Sequence, residues 1–234
     1  MRFSFSVGLV VLLILLTLAA FVLWPQLDLD VSGWFAAPHQ GFIWQNAAPL
    51  KALSSLVYYG ARALGVVLLF GSVVALARRR MLLGLSGKAW LFLFFGLLLG
   101  PGLVANIVFK DNWGRARPRE VTEFGGQAAF SPALARRQAC DKNCSFVSGD
   151  ASFGFFLPSF AYVVPLRRRR RMFWGGMGLG CLIGAARVIA GAHFLSDVLF
   201  AAFFMLLTSA ALHGLMFGWK ETLACWKTWL SRSK

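Results

Sequence analysis

The sequence predicts an all-α protein that crosses a lipid bilayer six times as a single helical bundle. Apolar residues make up 58% of its 234 residues and the mean hydropathy is +0.66, whereas about half of a soluble domain is apolar. The apolar residues fall into stretches close to the length of about 20 residues that spans a hydrocarbon core. Basic residues are concentrated in alternate connections between those stretches, as in many membrane proteins.

The six predicted spans leave little room for a second domain, so residues 1–234 are expected to form one integral-membrane domain. The spans are Val7 to Trp24, Val57 to Ala77, Ala89 to Phe109, Ala151 to Leu166, Met172 to Gly191 and Val198 to Gly218. The first span also resembles a secretory signal, because Arg2 precedes it and Ala19 and Ala20 are small. We favour an uncleaved helix, since the apolar run of about 18 residues continues to Trp24, before Pro25 stops it.

The location of the basic residues predicts the topology. A formal charge of +15 suggests nucleic acid as a partner of a soluble protein, but here the charges lie at the ends of spans, so no nucleic acid is expected. If the chain weaves back and forth, one side of the membrane carries Arg2, Arg78 to Arg80, Arg167 to Arg171, Lys220, Lys227, Arg232 and Lys234. The positive-inside rule places that side, with both termini, in the cytoplasm, where anionic phospholipids are the expected partners.

Three segments then face outward: Pro25 to about Leu56, Lys110 to Asp150, and a short turn around His193. The first segment contains several aromatic residues and is predicted to lie on the membrane surface, with His39 an interfacial histidine without a role. In a bacterial inner membrane the second segment faces the oxidising periplasm. A disulfide between Cys140 and Cys144 is one interpretation there, and a metal pair is the alternative, although CxxxC alone is a weak zinc signal. Free thiols are expected at Cys181 and Cys225.

The second outward segment is rich in basic residues, which are usually sparse on that side. They are Lys110, Arg115, Arg117, Arg119, Arg136, Arg137 and Lys142. One explanation is a loop that binds lipid headgroups. The other is a pocket for a doubly charged anion such as phosphate, which guanidinium groups bind with paired hydrogen bonds.

Three clusters are expected to meet at the outward membrane face: KDNWGRARP (Lys110 to Pro118), SGD (Ser148 to Asp150) and RVIAGAHFLSD (Arg187 to Asp197). Ionisable residues near a bilayer are costly and usually mark functional sites. Arg187 needs an anionic partner at that depth, and a purely structural ion pair with Asp197 or Asp150 is the alternative to a functional role.

Together these clusters resemble the type 2 phosphatidic acid phosphatase (PAP2) superfamily of membrane lipid phosphatases, over about Ala89 to Gly218. The superfamily pattern is lysine, six residues, Arg-Pro; then Ser-Gly-His; then arginine, five residues, histidine, three residues, aspartate. The matching residues are Lys110, Arg117, Pro118, Ser148, Gly149, Arg187, His193 and Asp197. Asp150 departs from the pattern, because the family usually has histidine there as the proton donor to the leaving group.

The resemblance implies a phosphatase that needs no metal and no cofactor. His193 would attack phosphorus to give a phosphohistidine, and Asp197 would fix the tautomer of its ring. The groups expected to bind the phosphate oxygens are Lys110, Arg117, Arg187, the Ser148 hydroxyl and the Gly149 amide.

Asp150 has three interpretations, in this order: a general acid and base, an ion-pair partner that orients Arg187 or Lys110, or a mark of weak activity. A carboxyl group donates a proton near neutral pH only if burial or another carboxylate favours its protonated form. The neighbouring arginines oppose that form.

The substrate is expected to be a membrane lipid, since chains can stay in the bilayer while the phosphate reaches the pocket. WGRARP, CSFVSG and the FGG at Phe124 to Gly126 resemble bacterial members that act on lipid A, particularly on its 4'-phosphate. The alternatives are an undecaprenyl pyrophosphate or phosphatidylglycerophosphate phosphatase, a lipid phosphotransferase, and a non-catalytic lipid-binding or transport protein. The absence of visible internal repeats argues against a transporter. The sequence thus predicts a bacterial inner-membrane enzyme with a periplasmic active site.

Overall fold

Eight α-helices make up most of the described chain. The structure is a computed structural model that describes residues 7–37 and 41–230, so Arg2, His39, Arg232 and Lys234 lie outside the described residues. The helices are α1 (Val7–Leu23), α2 (Gln26–Gly33), α3 (Ala48–Arg78), α4 (Gly87–Leu97), α5 (Gly149–Phe156), α6 (Leu166–Ile189), α7 (Leu195–Phe217) and α8 (Trp219–Leu230). A short antiparallel hairpin pairs β1 (Ala36–Ala37) with β2 (Gly41–Phe42).

Four helices in the described chain are long and apolar enough to cross a membrane: α3, α6, α7 and the helix from Gly87 to Lys110. A fifth crossing results if α1 and α2 count as one span, although the two helices are bent by 91°. The bend lies at Trp24 and Pro25, as expected of a proline, which cannot continue the hydrogen bonds of the preceding helix. The structure is thus mostly helical, as predicted, and has several helices suited to a membrane, whereas the predicted count of six spans is not confirmed.

The predicted fourth span, Ala151 to Leu166, is shorter and less regular than expected. α5 begins at Gly149 and ends at Phe156, and a 3-10 helix (Leu157–Tyr162) follows it. Pro158 explains the change, because it lacks the N–H that the next α-helical hydrogen bond requires. The combined element falls short of the about 20 residues typical of a span.

α4 continues directly into a π-helix (Leu98–Lys110), whose last residue belongs to the first sequence cluster. Pro101 lies inside this π-helix and cannot donate a backbone hydrogen bond. The side chain of Asn106 donates to the Pro101 carbonyl at 2.7 Å. The wider turn accommodates the proline and sets the direction in which Lys110 leaves the helix.

A stripe of glycines on α6 lets its neighbours approach closely. Gly176, Gly180 and Gly184 repeat every four residues and therefore share one helix face. A methyl group on Gly180 would lie 2.4 Å from the Phe155 ring of α5, and one on Gly184 would lie 2.3 Å from Val198 of α7. Small residues allow membrane helices to pack by van der Waals contact. The stripe fixes α5 and α7 against α6, and all three helices carry residues of the predicted site.

The segment from Pro25 to about Leu56, predicted to lie on the membrane surface, is partly buried, which corrects that prediction. Asp28 of α2 is fully buried, and Phe42 of β2 is 1% exposed. The Phe42 ring packs against Gly191, where a methyl group would lie 2.3 Å from the ring and where φ is +62°. Trp34 remains exposed, as expected of an interfacial side chain.

The basic clusters lie together at the end of the bundle opposite the predicted site. A cavity of about 300 Å³ at that end is lined by parts of four helices and of the turn after α3, with Met81, Arg169 and Glu221 among its residues. α6 begins at Leu166, so the arginines from Arg167 to Arg171 form its first turns. This corrects the prediction that these arginines connect two spans.

Candidate active site

The three sequence clusters meet around His193, at the end of the bundle where α6 joins α7. His193 lies in the turn between these helices and is 1% exposed. Its Nδ1 lies 2.7 Å from the carbonyl oxygen of Ser145. Because a carbonyl oxygen only accepts hydrogen bonds, Nδ1 carries the proton and Nε2 keeps a free lone pair. The imidazole is therefore in the tautomer that can attack through Nε2.

Asp197 does not hold His193 in the predicted way. Its Oδ2 lies 3.7 Å from Nδ1 of His193, which is too far for a hydrogen bond. The carboxylate instead accepts hydrogen bonds from the Ser145 hydroxyl at 2.5 Å and from the Phe194 N–H at 2.9 Å. The Ser145 carbonyl therefore fixes the tautomer, and Asp197 acts on the ring through its charge. This corrects the role predicted for Asp197.

The surroundings of His193 keep its ring neutral. Burial lowers the pKa of His193 to about 4; Asp197 opposes this change, while the positive charges of Arg117 and Lys110 add to it. At neutral pH the ring is therefore uncharged and able to act as a nucleophile. The same two cations create a positive field that favours an anion beside the ring.

A buried chain of charges lies behind Asp197. Arg115 donates to Asp197 at 2.5 Å and to Asp28 of α2 at 2.8 Å, and all three side chains are fully buried. The N–H and the hydroxyl of Ser196 donate to Asp28 at 2.9 Å and 2.5 Å. The Arg115 guanidinium also lies over the Phe194 ring, 4.3 Å from its centroid. Two buried carboxyl groups therefore share one guanidinium behind the imidazole.

Lys110 and the start of α5 form one side of the pocket. Ser148 caps α5, where its Oγ accepts a hydrogen bond from the Ala151 N–H at 3.4 Å. A methyl group on Gly149 would lie 3.3 Å from Nζ of Lys110 and 3.0 Å from Oδ1 of Asn106. The glycine therefore lets the lysine approach the helix N-terminus closely. The ammonium group and the first amides of α5 are donors suited to an anion.

Arg117 and Arg187 form another side. Nη2 of Arg117 donates to the carbonyl of Asn143 at 2.6 Å. Burial lowers the pKa of Arg117, Arg119 adds to this change, and Arg187 is near enough to add further. Nε of Arg187 is buried and makes no hydrogen bond within the described chain, although Oδ2 of Asp150 lies 3.3 Å away. These cations crowd together, as expected where they share an anionic ligand.

Asp150 lies between Arg187 and α3. Its Oδ2 accepts a hydrogen bond from the Ser54 hydroxyl at 2.6 Å and lies 3.3 Å from Nε of Arg187. A hydrogen bond from a hydroxyl and a nearby guanidinium are the contacts expected of an ion-pair partner of Arg187, which is the second of the three interpretations. Oδ1 has no hydrogen-bond partner among the residues that the structure describes. That oxygen is free to face a ligand.

Four residues of this site are not among the functional residues predicted from the sequence. They are Asp28, Ser54, Arg115 and Ser145, which contact the predicted residues from other elements. Arg115 stood out only as one of several basic residues in its segment. For Asp28 the available signal was an acidic residue in the first turn of α2, shortly after the first predicted span.

Cys140 and Cys144 form a disulfide in the structure, with their Cα atoms 5.7 Å apart. The bridge closes the loop that contains Asn143, whose carbonyl holds Arg117. Cys181 and Cys225 are free thiols. Within residues 7–37 and 41–230, no group of three or more His, Cys, Asp or Glu side chains is arranged to hold a metal ion.

A neutral, buried imidazole surrounded by cations on a membrane-type helical bundle defines a candidate site for a phosphoryl group. The PAP2 superfamily pattern matches residues 89–221 of the chain. Because this match covers more than half of the sequence, the chain belongs to the PAP2 superfamily. The family predicted from the three clusters is therefore confirmed.

The chain is also similar to proteins named for activity on lipid A. It is 42% identical over 135 residues to a lipid A 4'-phosphatase of Francisella tularensis subsp. novicida (strain U112), covering 57% of this chain and 61% of the relative. It is 39% identical over 116 residues to a lipid A 4'-phosphatase of Rhizobium leguminosarum, covering 50% of each. It is 37% identical over 125 residues to a lipid A 1-phosphatase of Rhizobium johnstonii (strain DSM 114642 / LMG 32736 / 3841), covering 50% of this chain and 46% of the relative.

The matches thus span less than two thirds of the length of these relatives. No solved structure matches the chain significantly.

Proposed function

We propose that the protein is a membrane phosphatase that removes the 4'-phosphate of lipid A. The observation that carries this proposal is the neutral, buried ring of His193, which donates from Nδ1 to the Ser145 carbonyl and lies near Lys110 and Arg117. This arrangement suits a nucleophile that attacks a phosphate group. Similarity to proteins named lipid A 4'-phosphatases supports the choice of substrate.

In the first step, Nε2 of His193 attacks phosphorus, and the ester P–O bond breaks with its electron pair on the leaving alkoxide. Lys110, Arg117 and Arg187 stabilise the charge on the phosphoryl oxygens. The ring becomes cationic when it is phosphorylated. The negative charge of Asp197 stabilises that cation.

In the second step, water attacks the phosphohistidine, the P–N bond breaks, and the ring returns to its neutral form as phosphate leaves. If Asp150 acts as an acid and base, it protonates the alkoxide and then takes a proton from the attacking water, so the cycle balances. If it only orients Arg187, solvent supplies and receives these protons. The ion pair between Asp150 and Arg187 favours the orienting role.

We further propose that the site faces the periplasm and that the basic end of the bundle lies in the cytoplasm, against anionic phospholipids. The six crossings would be α1, α3, α4 with its π-helix, α5 with its 3-10 helix, α6 and α7. The arginines at the start of α6 support this orientation through the positive-inside rule. The disulfide supports it as well, because such bonds persist in oxidising compartments.

Phosphate release from lipid A by the purified protein in detergent micelles tests the proposal, with mass spectrometry to locate the lost phosphate. The wild-type protein should release the 4'-phosphate, and His193→Ala should be at least about 1000-fold slower because it lacks the nucleophile. His213→Gln, near the basic end of the bundle, is the matched control and should keep activity. Comparable turnover by His193→Ala would exclude the covalent mechanism. A strong preference for undecaprenyl pyrophosphate or phosphatidylglycerophosphate would replace lipid A as the substrate.

A further inference from the structure

A polar cup lies next to the candidate active site and takes no part in the proposed chemistry. Its volume is about 910 Å³, and it is open to solvent at the same end of the bundle. The polar side chains that line it are Asp111, Asn112, Arg136, Arg137, Gln138 and Asp141. Carboxylates, amides and guanidinium groups thus surround one concave surface.

One residue, Asn143, lies between the cup and the phosphate site. The carbonyl of Asn143 accepts a hydrogen bond from Nη2 of Arg117 at 2.6 Å, on the side of the phosphate site. The N–H of the same residue donates to Oδ1 of Asp111 at 3.3 Å, on the side of the cup. Asp111 also follows Lys110 directly in the sequence. The cup and the candidate phosphate site are therefore neighbours.

The backbone holds the arginines of the cup in place. The N–H of Arg137 donates to the Trp113 carbonyl at 2.9 Å, and a methyl group on Gly114 would lie 1.7 Å from the Arg137 carbonyl oxygen. Nε of Arg136 donates to the Asn112 carbonyl at 3.0 Å. The guanidinium of Arg137 has no partner among the described residues and is exposed. The backbone of the cup is thus held by hydrogen bonds, while the guanidinium of Arg137 is free to bind a ligand.

The donor and acceptor set of the cup matches a phosphorylated sugar. Carboxylates accept hydrogen bonds from hydroxyl groups, amides both accept and donate them, and a guanidinium binds phosphate with two parallel hydrogen bonds. The names of the relatives specify phosphates at positions 4' and 1 of lipid A, so its headgroup can carry two phosphate groups. An enzyme that removes one of these phosphates must also accommodate the rest of the headgroup, including the second phosphate.

We propose that this cup binds the second sugar ring and the phosphate that is not hydrolysed, with Arg137 as the main phosphate ligand. The inference rests on the proposed function, since it names a further part of the same substrate. The cup would then select headgroups with two phosphates and orient them, so that the 4' position reaches His193.

Two lipid A substrates test this proposal: one with both phosphates and one with only the 4'-phosphate. The wild-type protein should hydrolyse the doubly phosphorylated form with a kcat/KM about tenfold higher, as expected of one charged hydrogen-bonded contact. Arg137→Gln should remove this preference by raising KM for the doubly phosphorylated form only. Lys142→Gln, which removes a positive charge from the same loop outside the cup, is the matched control and should keep the preference.

The outcomes separate the proposal from the proposed function. Equal kcat/KM values for the two lipids with the wild-type protein, or an equal loss on both with Arg137→Gln, would overturn the cup as a subsite while lipid A remained the substrate. Release of phosphate from neither form of lipid A would overturn both.

Discussion

At the residue scale, His193 obtains its reactive tautomer from a backbone carbonyl, and its charge balance from a carboxylate. Ser145 supplies that carbonyl and also donates its hydroxyl to Asp197, so one loop residue holds both groups. The division of roles matters because a carbonyl only accepts a hydrogen bond, whatever the pH. The tautomer should persist while the charge of the ring changes during the reaction.

The first prediction concerns the protonation of His193. Because burial lowers its pKa to about 4, the ring should stay neutral at pH 5.5, where a histidine with an ordinary pKa of about 6.5 is mostly protonated. Nitrogen-15 NMR of histidine-labelled protein should show a neutral ring protonated at Nδ1 at that pH, assigned by its loss in His193→Gln. A cationic ring at pH 5.5, or a proton on Nε2, would contradict the geometry.

The same change in pKa has a consequence for stability. The unfolded chain binds a proton at this histidine below about pH 6.5, whereas the folded protein does so only below about pH 4. Folding is therefore destabilised progressively as the pH falls from about 6.5 to about 4, and the full contribution is present above that range. In His193→Gln this part of the pH dependence should disappear from thermal unfolding curves.

The second prediction separates two roles of Asp150, whose Oδ2 contacts Ser54 and lies near Arg187. Asp150→Asn keeps the shape but removes the proton donor and the negative charge. If Asp150 orients Arg187, as the ion pair favours, turnover of a sugar phosphate and of an aryl phosphate should fall by a similar factor, about tenfold or more. If it acts as a general acid, turnover of the sugar phosphate should fall much more than turnover of the aryl phosphate, because an aryl leaving group departs unaided.

Steady-state rates on both substrates decide between these roles. A loss of turnover confined to the sugar phosphate would show that Asp150 acts mainly as a general acid. Asp150→His, which restores the usual family residue, should then keep activity, since imidazolium donates the same proton.

At the element scale, α2 acts as a support for the site although it lies outside the matched family region. Its Asp28 accepts hydrogen bonds from Arg115 and from two groups of Ser196. Burial raises the pKa of this carboxyl group, and the positive charge of Arg115 opposes the change. Asp28 shares the guanidinium of Arg115 with Asp197. Without it, the whole positive charge of Arg115 would act on Asp197 and weaken the negative field at the imidazole.

The third prediction follows from this shared guanidinium. Asp28→Asn should lower kcat by about tenfold with a smaller change in KM, because the cationic phosphohistidine loses stabilisation while the phosphate ligands stay in place. The NMR-derived pKa of His193 should fall further in this variant. Asp30→Asn changes an exposed aspartate on the same helix and is the matched control. A loss of stability in Asp28→Asn without any change in kcat or in the His193 pKa would reduce Asp28 to a structural residue.

The elements show which parts of the molecule can be predicted from sequence. Apolar length predicts the two ends of α7 closely, whereas α3 and α6 begin well before the predicted spans. The spacing of the PAP2 clusters points to Lys110, Arg117 and His193. These features depend on neighbours within a few turns of the same helix or on a family pattern. The segment that contains α2 was wrongly predicted to lie on the membrane surface. The partners of Asp28 lie 87 and 168 residues away in the sequence, and no local pattern predicts such distant pairs.

Local chemistry also limited the prediction of α5. The run from Ala151 to Leu166 was predicted to form one span, but Pro158 changes the segment after α5 to a 3-10 helix. Ser54 and Ser145 were missed for a similar reason, since a serine in an apolar helix or loop is common and only the fold brings it to a carboxylate.

At the scale of the whole molecule, the bundle separates two kinds of positive charge. At one end, the arginines at the start of α6 are largely exposed and suited to anionic headgroups. At the other end, Lys110, Arg117 and Arg187 lie around a buried histidine, where we propose that they bind phosphate instead. The positive-inside rule applies to the first kind, so the charged site does not argue against a periplasmic position.

The last prediction tests that orientation with the disulfide between Cys140 and Cys144. In a Cys181→Ser, Cys225→Ser background, a membrane-impermeant maleimide should label spheroplasts only after an impermeant reductant has opened the bridge. The reagent should then reach both thiols, because their loop lies at the site end, which we place in the periplasm. Leu83→Cys, at a position 85% exposed in the turn between α3 and α4 near the basic end, should react only after the membrane is permeabilised. Labelling before reduction would exclude the disulfide, and reaction of the loop thiols only after permeabilisation would invert the topology.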